Sequence, residues 1–347
     1  MIIDKENSNL LKGIAILMMM IHHFWNPTLQ SVPATINIYG HIFISPEAVL
    51  SIFCKVCVSL FAFLSGWVAY LQSDKMISYG YIFKKTKTFL FEYWIIAICF
   101  LIIGYFFNIK LPAFNIFIAN IFGFEVGVQE IMGYDYINVT MAWYVRFYLS
   151  VLLTFPILLY FLKKQEKCNG VISFGLIILF VALMRILCSY IECYIVKKVI
   201  VLYFEWIPSV IAGYYCCQYR WLDHIYNKIN IPLALLVLIG MIVMRLVIHL
   251  PYSLNVDYLY VVFIVVITIK YTPHNIKKYM QQLGSISMFI WYIHSIFFVP
   301  TRPLSNMIAF TGNSFILLFG GIFWSVLFTI VYIQIKKKIA VLNLRRK

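Results

Sequence analysis

The chain has 347 residues, 63% of them hydrophobic and only 12% charged, with a formal net charge of +15. Soluble domains carry about 25% charged residues, so this composition excludes water as the main solvent and points to an integral membrane protein. Spans of about 20 residues with short connections use up the length. One membrane domain over residues 1–347 follows, with no room for a separate soluble catalytic module.

Apolar runs long enough to cross a bilayer fall in chain order at 10–25, 49–71, 89–107, 142–162, 171–190, 199–217, 231–249, 257–270, 284–300 and 314–335. The expected fold is therefore all-α and polytopic, with about ten transmembrane helices. The first and eighth runs are short and need help from their flanks. Pro27, Pro46, Pro232 and Pro273 fall where connections should be, while Pro156 and Pro208 lie within spans and predict kinks there. No internal repeat interrupts this order.

The charges orient the spans. With the N-terminus in the cytoplasm, twenty of the 28 basic residues fall in inner segments. The outer segments hold four, Lys110, Lys197, Lys198 and Arg302, and the spans hold Lys55, Arg146, Arg185 and Arg245. This bias fits an even number of helices with both termini cytoplasmic. It also accounts for most of the +15, so no nucleic-acid partner is needed. The expected location is the cell (inner) membrane, as a multi-pass protein. The acidic and basic start, Asp4-Lys5-Glu6, with no small-residue cleavage site after the first apolar run, does not read as a cleaved export signal.

Eight cysteines are present, and Cys54 and Cys57 form a C-x-x-C inside the second apolar run. Small buried hydrophobes explain them better than a redox or zinc pair. No metal is expected.

Ionisable groups within a bilayer are costly and commonly functional. The first helix carries Lys12, His22 and His23. At about 100° per residue, Lys12 and His23 lie within about 20° of one face and about 16 Å apart along the axis, while His22 turns away. A cation at the cytoplasmic mouth suits a phosphate-bearing donor, and a distant His suits a general base acting on a hydroxyl. An interfacial His beside the Trp25 anchor explains the same pattern. The residues alone leave both readings open.

The stretch from Leu11-Lys12-Gly13 through His23 resembles the first helix of the acyltransferase 3 family, in which an Arg or Lys precedes a His by eleven positions. Similar family stretches follow in order. They are Val58–Trp67 with its Ser65-Gly66-Trp67 end, the basic cluster Lys84-Lys85-Thr86-Lys87 before the third helix, and Trp143-Tyr144 opening a central helix. Pro208 to Gly213 comes next, and then Gly284-Ser285 followed by Trp291-Tyr292-Ile293-His294, similar to the family's late Gly-Ser and Tyr-x-x-His signature. The resemblance covers nearly the whole chain.

It implies acyl transfer from cytoplasmic acyl-CoA, with acetyl-CoA the expected donor, to a glycan or lipid-linked glycan. It implies His23 as the catalytic residue and Lys12, Lys84, Lys85 and Lys87 as donor contacts, although positive-inside charge also explains the lysines. His294, Trp143, Arg146 and Ser65 are the candidates on the substrate side. Ser65 and Gly66 also suit close helix packing, and His294 suits a hydrogen bond across helices. The last helix carries no carboxylate, which leaves Glu205 and Glu47 as acidic candidates for His23; Glu47, after Ser45-Pro46, reads more readily as a helix start. Aromatic and acidic residues of the outer segment 108–141, including Phe114, Phe122, Tyr134, Glu125, Glu130 and Asp135, suit sugar faces. A non-enzymatic glycan exporter or flippase is the alternative, and paired interrupted helices in two related halves would favour it. The oligomeric state is not legible.

Overall fold

A computed structural model describes residues 2–27, 35–38, 41–106, 114–123, 142–165, 168–247, 256–298 and 313–345. Lys110, Arg302, Glu125, Glu130, Asp135 and Tyr134 lie outside the described residues.

Helix α1 (Lys5–Phe24) begins at Asp4, whose carboxylate accepts from the Asn7 N–H at 2.7 Å and satisfies one of the donors a helix start leaves open. An antiparallel hairpin follows, β1 (Thr35–Ile38) with β2 (His41–Ile44), in register Thr35 to Ile44. It is a small addition to an otherwise helical chain, and hydrophobic periodicity did not reveal it. Ser45 then caps α2 (Pro46–Cys54): its hydroxyl accepts from the Ala48 N–H at 3.1 Å, with Pro46 and Glu47 in the first turn.

The second apolar run continues as α3 (Cys57–Leu71) after a two-residue turn. Cys54 and Cys57 therefore flank a helix break rather than sitting inside one helix. The break frees backbone carbonyls, and the Arg245 guanidinium supplies a partner by donating to the Ile52 carbonyl at 2.8 Å. After α4 (Ser73–Met76) comes α5 (Tyr79–Phe106), which starts ten residues earlier than the apolar run. The basic cluster Lys84, Lys85 and Lys87 thus belongs to the first turns of this helix and not to a loop before it. Long lysine stems can lie along an apolar helix while their ammonium groups reach its polar end.

The remaining helices are α6 (Phe114–Ile121), α7 (Ala142–Lys164), α8 (Gly170–Cys188), α9 (Tyr194–Gln218), α10 (Trp221–Lys228), α11 (Ile231–Val247), α12 (Asp257–Tyr271), α13 (His274–Ser285), α14 (Ser287–Ile293), α15 (Ser295–Phe298) and α16 (Ser314–Arg345). Pro156 and Pro208 are tolerated inside α7 and α9. As far as the described residues extend, the ten apolar runs fall on these helices.

Among the described residues, six helices are long and apolar enough to cross a membrane. The pair α10 and α11, bent by 116°, makes a seventh if it counts as one span. The other runs are more polar or shorter for identifiable reasons. Helix α1 carries Lys12, His22 and His23, α12 has only 15 residues, and the ninth run breaks at Ile286 and His294.

The outward faces are apolar. Leu176 and Phe180 of α8, Leu236 of α11, and Phe319 and Phe323 of α16 are all exposed, as expected where lipid is the surrounding solvent. Several charges within the helices pair. Arg185 meets Glu205 at 3.7 Å, Arg245 meets Asp257, and Glu92 holds both Lys336 and the Tyr332 hydroxyl. Pairing of this kind removes much of the cost of placing ions within a bilayer.

Two glycine crossings fix the positions of the central helices. A side chain on Gly13 would strike the Met280 carbonyl of α13, and one on Gly284 would strike the Asn9 carbonyl of α1. Gly66 and Gly213 face the Val210 and Phe63 carbonyls in the same reciprocal way, joining α3 to α9. Backbones approach this closely only through small residues. Gly66 is thereby assigned to packing, as are the family-like glycines at 213 and 284.

Candidate active site

The α1–α13 crossing builds one wall of a cavity of about 480 Å³, a size that suits a small ligand. Lys12 lines it from α1 and Lys85 from α5, so two ammonium groups face one space. Ser65 of α3, Tyr144 and Tyr148 of α7, and Trp291 of α14 are among the polar and aromatic residues that line it. The Ser65 hydroxyl donates back to the Phe61 carbonyl at 3.0 Å, leaving its oxygen lone pairs toward the neighbouring space. Tyr144 and Tyr148 sit one turn apart with nearly parallel rings, and Tyr144 meets Trp291 with ring centres 4.8 Å apart.

Lys84 and Lys87 are exposed and do not line the cavity. Helical rotation explains the split: three cations within four positions cannot share one face. Trp143 is half-buried and packs edge-on against Tyr144 at 5.8 Å, outside the cavity lining. Arg146 is buried one turn further along α7 and does not line the cavity either. Tyr148 and Phe89 are lining residues that the motif reading did not single out. The four-residue spacing of Tyr144 and Tyr148 was the available signal.

At the far end of α1, three imidazoles meet. His23 is partly buried, with its ring centre 5.1 Å from that of His294 and 5.1 Å from that of His22, both contacts edge to face. His294 is fully buried at the junction of α14 and α15. Its Nδ1 lies 2.7 Å from the Trp291 carbonyl oxygen and 3.2 Å from that of Ile290. Carbonyls only accept, so Nδ1 carries the proton and the lone pair of the neutral ring resides on Nε2.

His22 is held in the same way, with Nδ1 2.9 Å from the Ser51 carbonyl, while the Ser51 hydroxyl donates to the His22 carbonyl at 3.0 Å. The structure thus separates the two adjacent histidines: His22 is committed to α2, and His23 turns to α14. Trp25 ends the helix by donating its indole N–H to the Ser314 carbonyl at 2.8 Å, which ties α1 to the start of α16.

The carboxylates considered as partners of His23 are engaged elsewhere. Glu205 pairs with Arg185, and Glu47 accepts from the Ser314 hydroxyl at 3.0 Å. Phe114 and Phe122 are exposed, and Phe122 sets its edge against Trp94 at 6.0 Å. Among the described residues, no group of three or more His, Cys, Asp or Glu side chains is arranged to hold a metal ion.

Fold and site together define a multi-pass membrane protein whose first helix links a cation-lined cavity to a cluster of imidazoles. The chain belongs to the acyltransferase 3 family: the family described as an acyltransferase domain matches residues 5–334. No curated protein and no solved structure matches the chain. The protein is accordingly a membrane acyltransferase, acting with an acyl donor and an acceptor.

Proposed function

We propose that the protein transfers an acetyl group from cytoplasmic acetyl-CoA to a hydroxyl of a cell-surface polysaccharide or its lipid-linked precursor, at the inner membrane. The observation that carries this reading is the placement of one helix in two sites: Lys12 of α1 lines the cavity beside Lys85, and His23 of α1 meets His294.

Two ammonium groups at one cavity mouth suit the phosphates of a coenzyme A donor. The apolar and aromatic lining suits the thin pantetheine arm, and about 16 Å of helix separates the cations from the imidazole. In the direct route, His23 takes the proton of the acceptor hydroxyl as its oxygen attacks the thioester carbonyl. A C–O bond forms, the C–S bond breaks, and the departing thiolate takes the proton from His23. Alternatively, His23 attacks the thioester first and carries the acyl group until the hydroxyl displaces it. Both routes use the same ring and give the same ester and free thiol. The exporter reading has no comparable support, because the family is described as an acyltransferase domain.

The test is a His23→Ala variant, assayed for acyl groups on the surface glycan at matched membrane abundance. General base catalysis is worth roughly 10²- to 10⁴-fold, so acylation should fall by at least about a hundredfold. His22→Ala should do much less, because His22 is bonded to Ser51 and lies off the Lys12–His23 face. Full acylation by the His23 variant would refute the proposal.

A further inference from the structure

We infer that His294 is the positioning residue for His23, filling the place that a carboxylate occupies in a Ser-His-Asp triad. The inference rests on the proposed role of His23 and extends it. A histidine that acts as a base, or as a nucleophile, must keep its lone pair on the nitrogen facing the reaction. A second group normally holds the proton on the other nitrogen and stabilises the ring once it is protonated. Glu205 and Glu47 are committed to Arg185 and Ser314, so neither fills that place.

Among the described residues, the His294 imidazole stands against His23 and, unlike His22, is not bonded to α2, and three features suit it to the task. Its own tautomer is fixed by the Trp291 and Ile290 carbonyls, which leaves Nε2 as an acceptor. Its ring stands edge to face against that of His23, with the ring centres 5.1 Å apart. It is fully buried at a break between two helices, where α14 and α15 fix its backbone. A neutral acceptor here has an advantage over a carboxylate, since it brings no permanent charge into the membrane interior.

In the reacting complex, His294 Nε2 accepts from the N–H of His23 and leaves the opposite His23 nitrogen to take the hydroxyl proton. The proton balance is unchanged: His23 receives one proton and returns it to the leaving thiolate, while His294 keeps its Nδ1 proton throughout. His294 also places the imidazole pair one turn from Trp291, which lines the donor cavity. The positioning residue therefore sits between the two sites.

The experiment uses the full-length protein in native membrane vesicles, with radiolabelled acetyl-CoA as donor and the endogenous glycan as acceptor. In His294→Asn the side-chain amide can still donate to the Trp291 carbonyl, but nothing remains at the Nε2 position. In His294→Gln an amide oxygen is restored near that position. His294→Asn should lower kcat about a hundredfold, the low end of what a positioned base contributes, leave the KM for acetyl-CoA nearly unchanged, and displace the acid limb of the pH–rate profile. His294→Gln should recover a substantial part of kcat.

An unchanged kcat and pH profile in His294→Asn would overturn the inference. So would losses in both variants that only follow reduced protein abundance or detergent-extracted thermal stability, because that pattern marks a purely structural histidine. Measuring His23→Ala in parallel separates the two ideas. Full transfer by that variant removes the base reading itself, whereas loss of transfer with a neutral His294→Asn removes the positioning role alone.

Discussion

Lys12 and Lys85 differ from the neighbouring lysines in where their ammonium groups end. Both line the cavity, while Lys84 and Lys87 sit on the exposed side of α5. A charge-assisted contact to a phosphate is worth roughly 1.5–3 kcal/mol, and 1.4 kcal/mol is tenfold in affinity. Lys12→Ala and Lys85→Ala should therefore each raise the KM for the proposed acetyl-CoA donor about tenfold or more in initial-rate measurements on membrane vesicles. Lys84→Ala should leave it nearly unchanged. Lys12→Arg should retain donor binding, because a guanidinium can grip phosphate with two donors where an ammonium offers a point charge. An equal effect of Lys84→Ala and Lys85→Ala would show that only the overall positive charge matters.

The break between α2 and α3 shows how helices within a bilayer tolerate an interruption. Arg245 of α11 reaches across to the Ile52 carbonyl and at the same time pairs with Asp257 at the start of α12. One side chain thus joins three elements and satisfies a freed backbone group. Removing one partner from a buried pair leaves an uncompensated charge and typically costs about 3–5 kcal/mol. Arg245→Ala should lower the thermal midpoint in detergent accordingly. The double variant with Asp257→Asn should lose less than the sum of the two single changes, since residues that share one interaction are not additive. Strict additivity would show that the pair contributes nothing as a pair.

For the whole molecule, the Ile2 N–H meets the Asp223 carboxylate at 3.2 Å, and Lys270 donates to the Tyr226 and Ile229 carbonyls at 2.6 and 2.7 Å. The N-terminus, α10 and the end of α12 thus gather on one side of the bundle. All three belong to segments that the charge bias assigns to the cytoplasm. Reporter fusions at residue 1 and residue 347 should both be active only in a cytoplasmic readout, such as a fluorescent protein that fails to mature after export. A phosphatase reporter active at the C-terminus would require an odd number of spans.

Composition and hydropathy were enough to establish a helical membrane protein, because a bilayer allows few ways to satisfy a backbone and the apolar runs follow directly from that limit. Helical geometry likewise placed Lys12 and His23 on one face, since both lie on one continuous element whose rotation per residue is fixed. Relations between elements needed the tertiary structure. The selection of Lys85 from a cluster of three depends on the neighbour that α5 faces. The separation of His22 from His23 depends on Ser51 of α2, and the meeting of His23 with His294 joins residues 271 positions apart. No local periodicity encodes such a pairing. It arises because Gly13 and Gly284 allow α1 and α13 to cross closely, so that the helices continuing from that crossing bring the two imidazoles together.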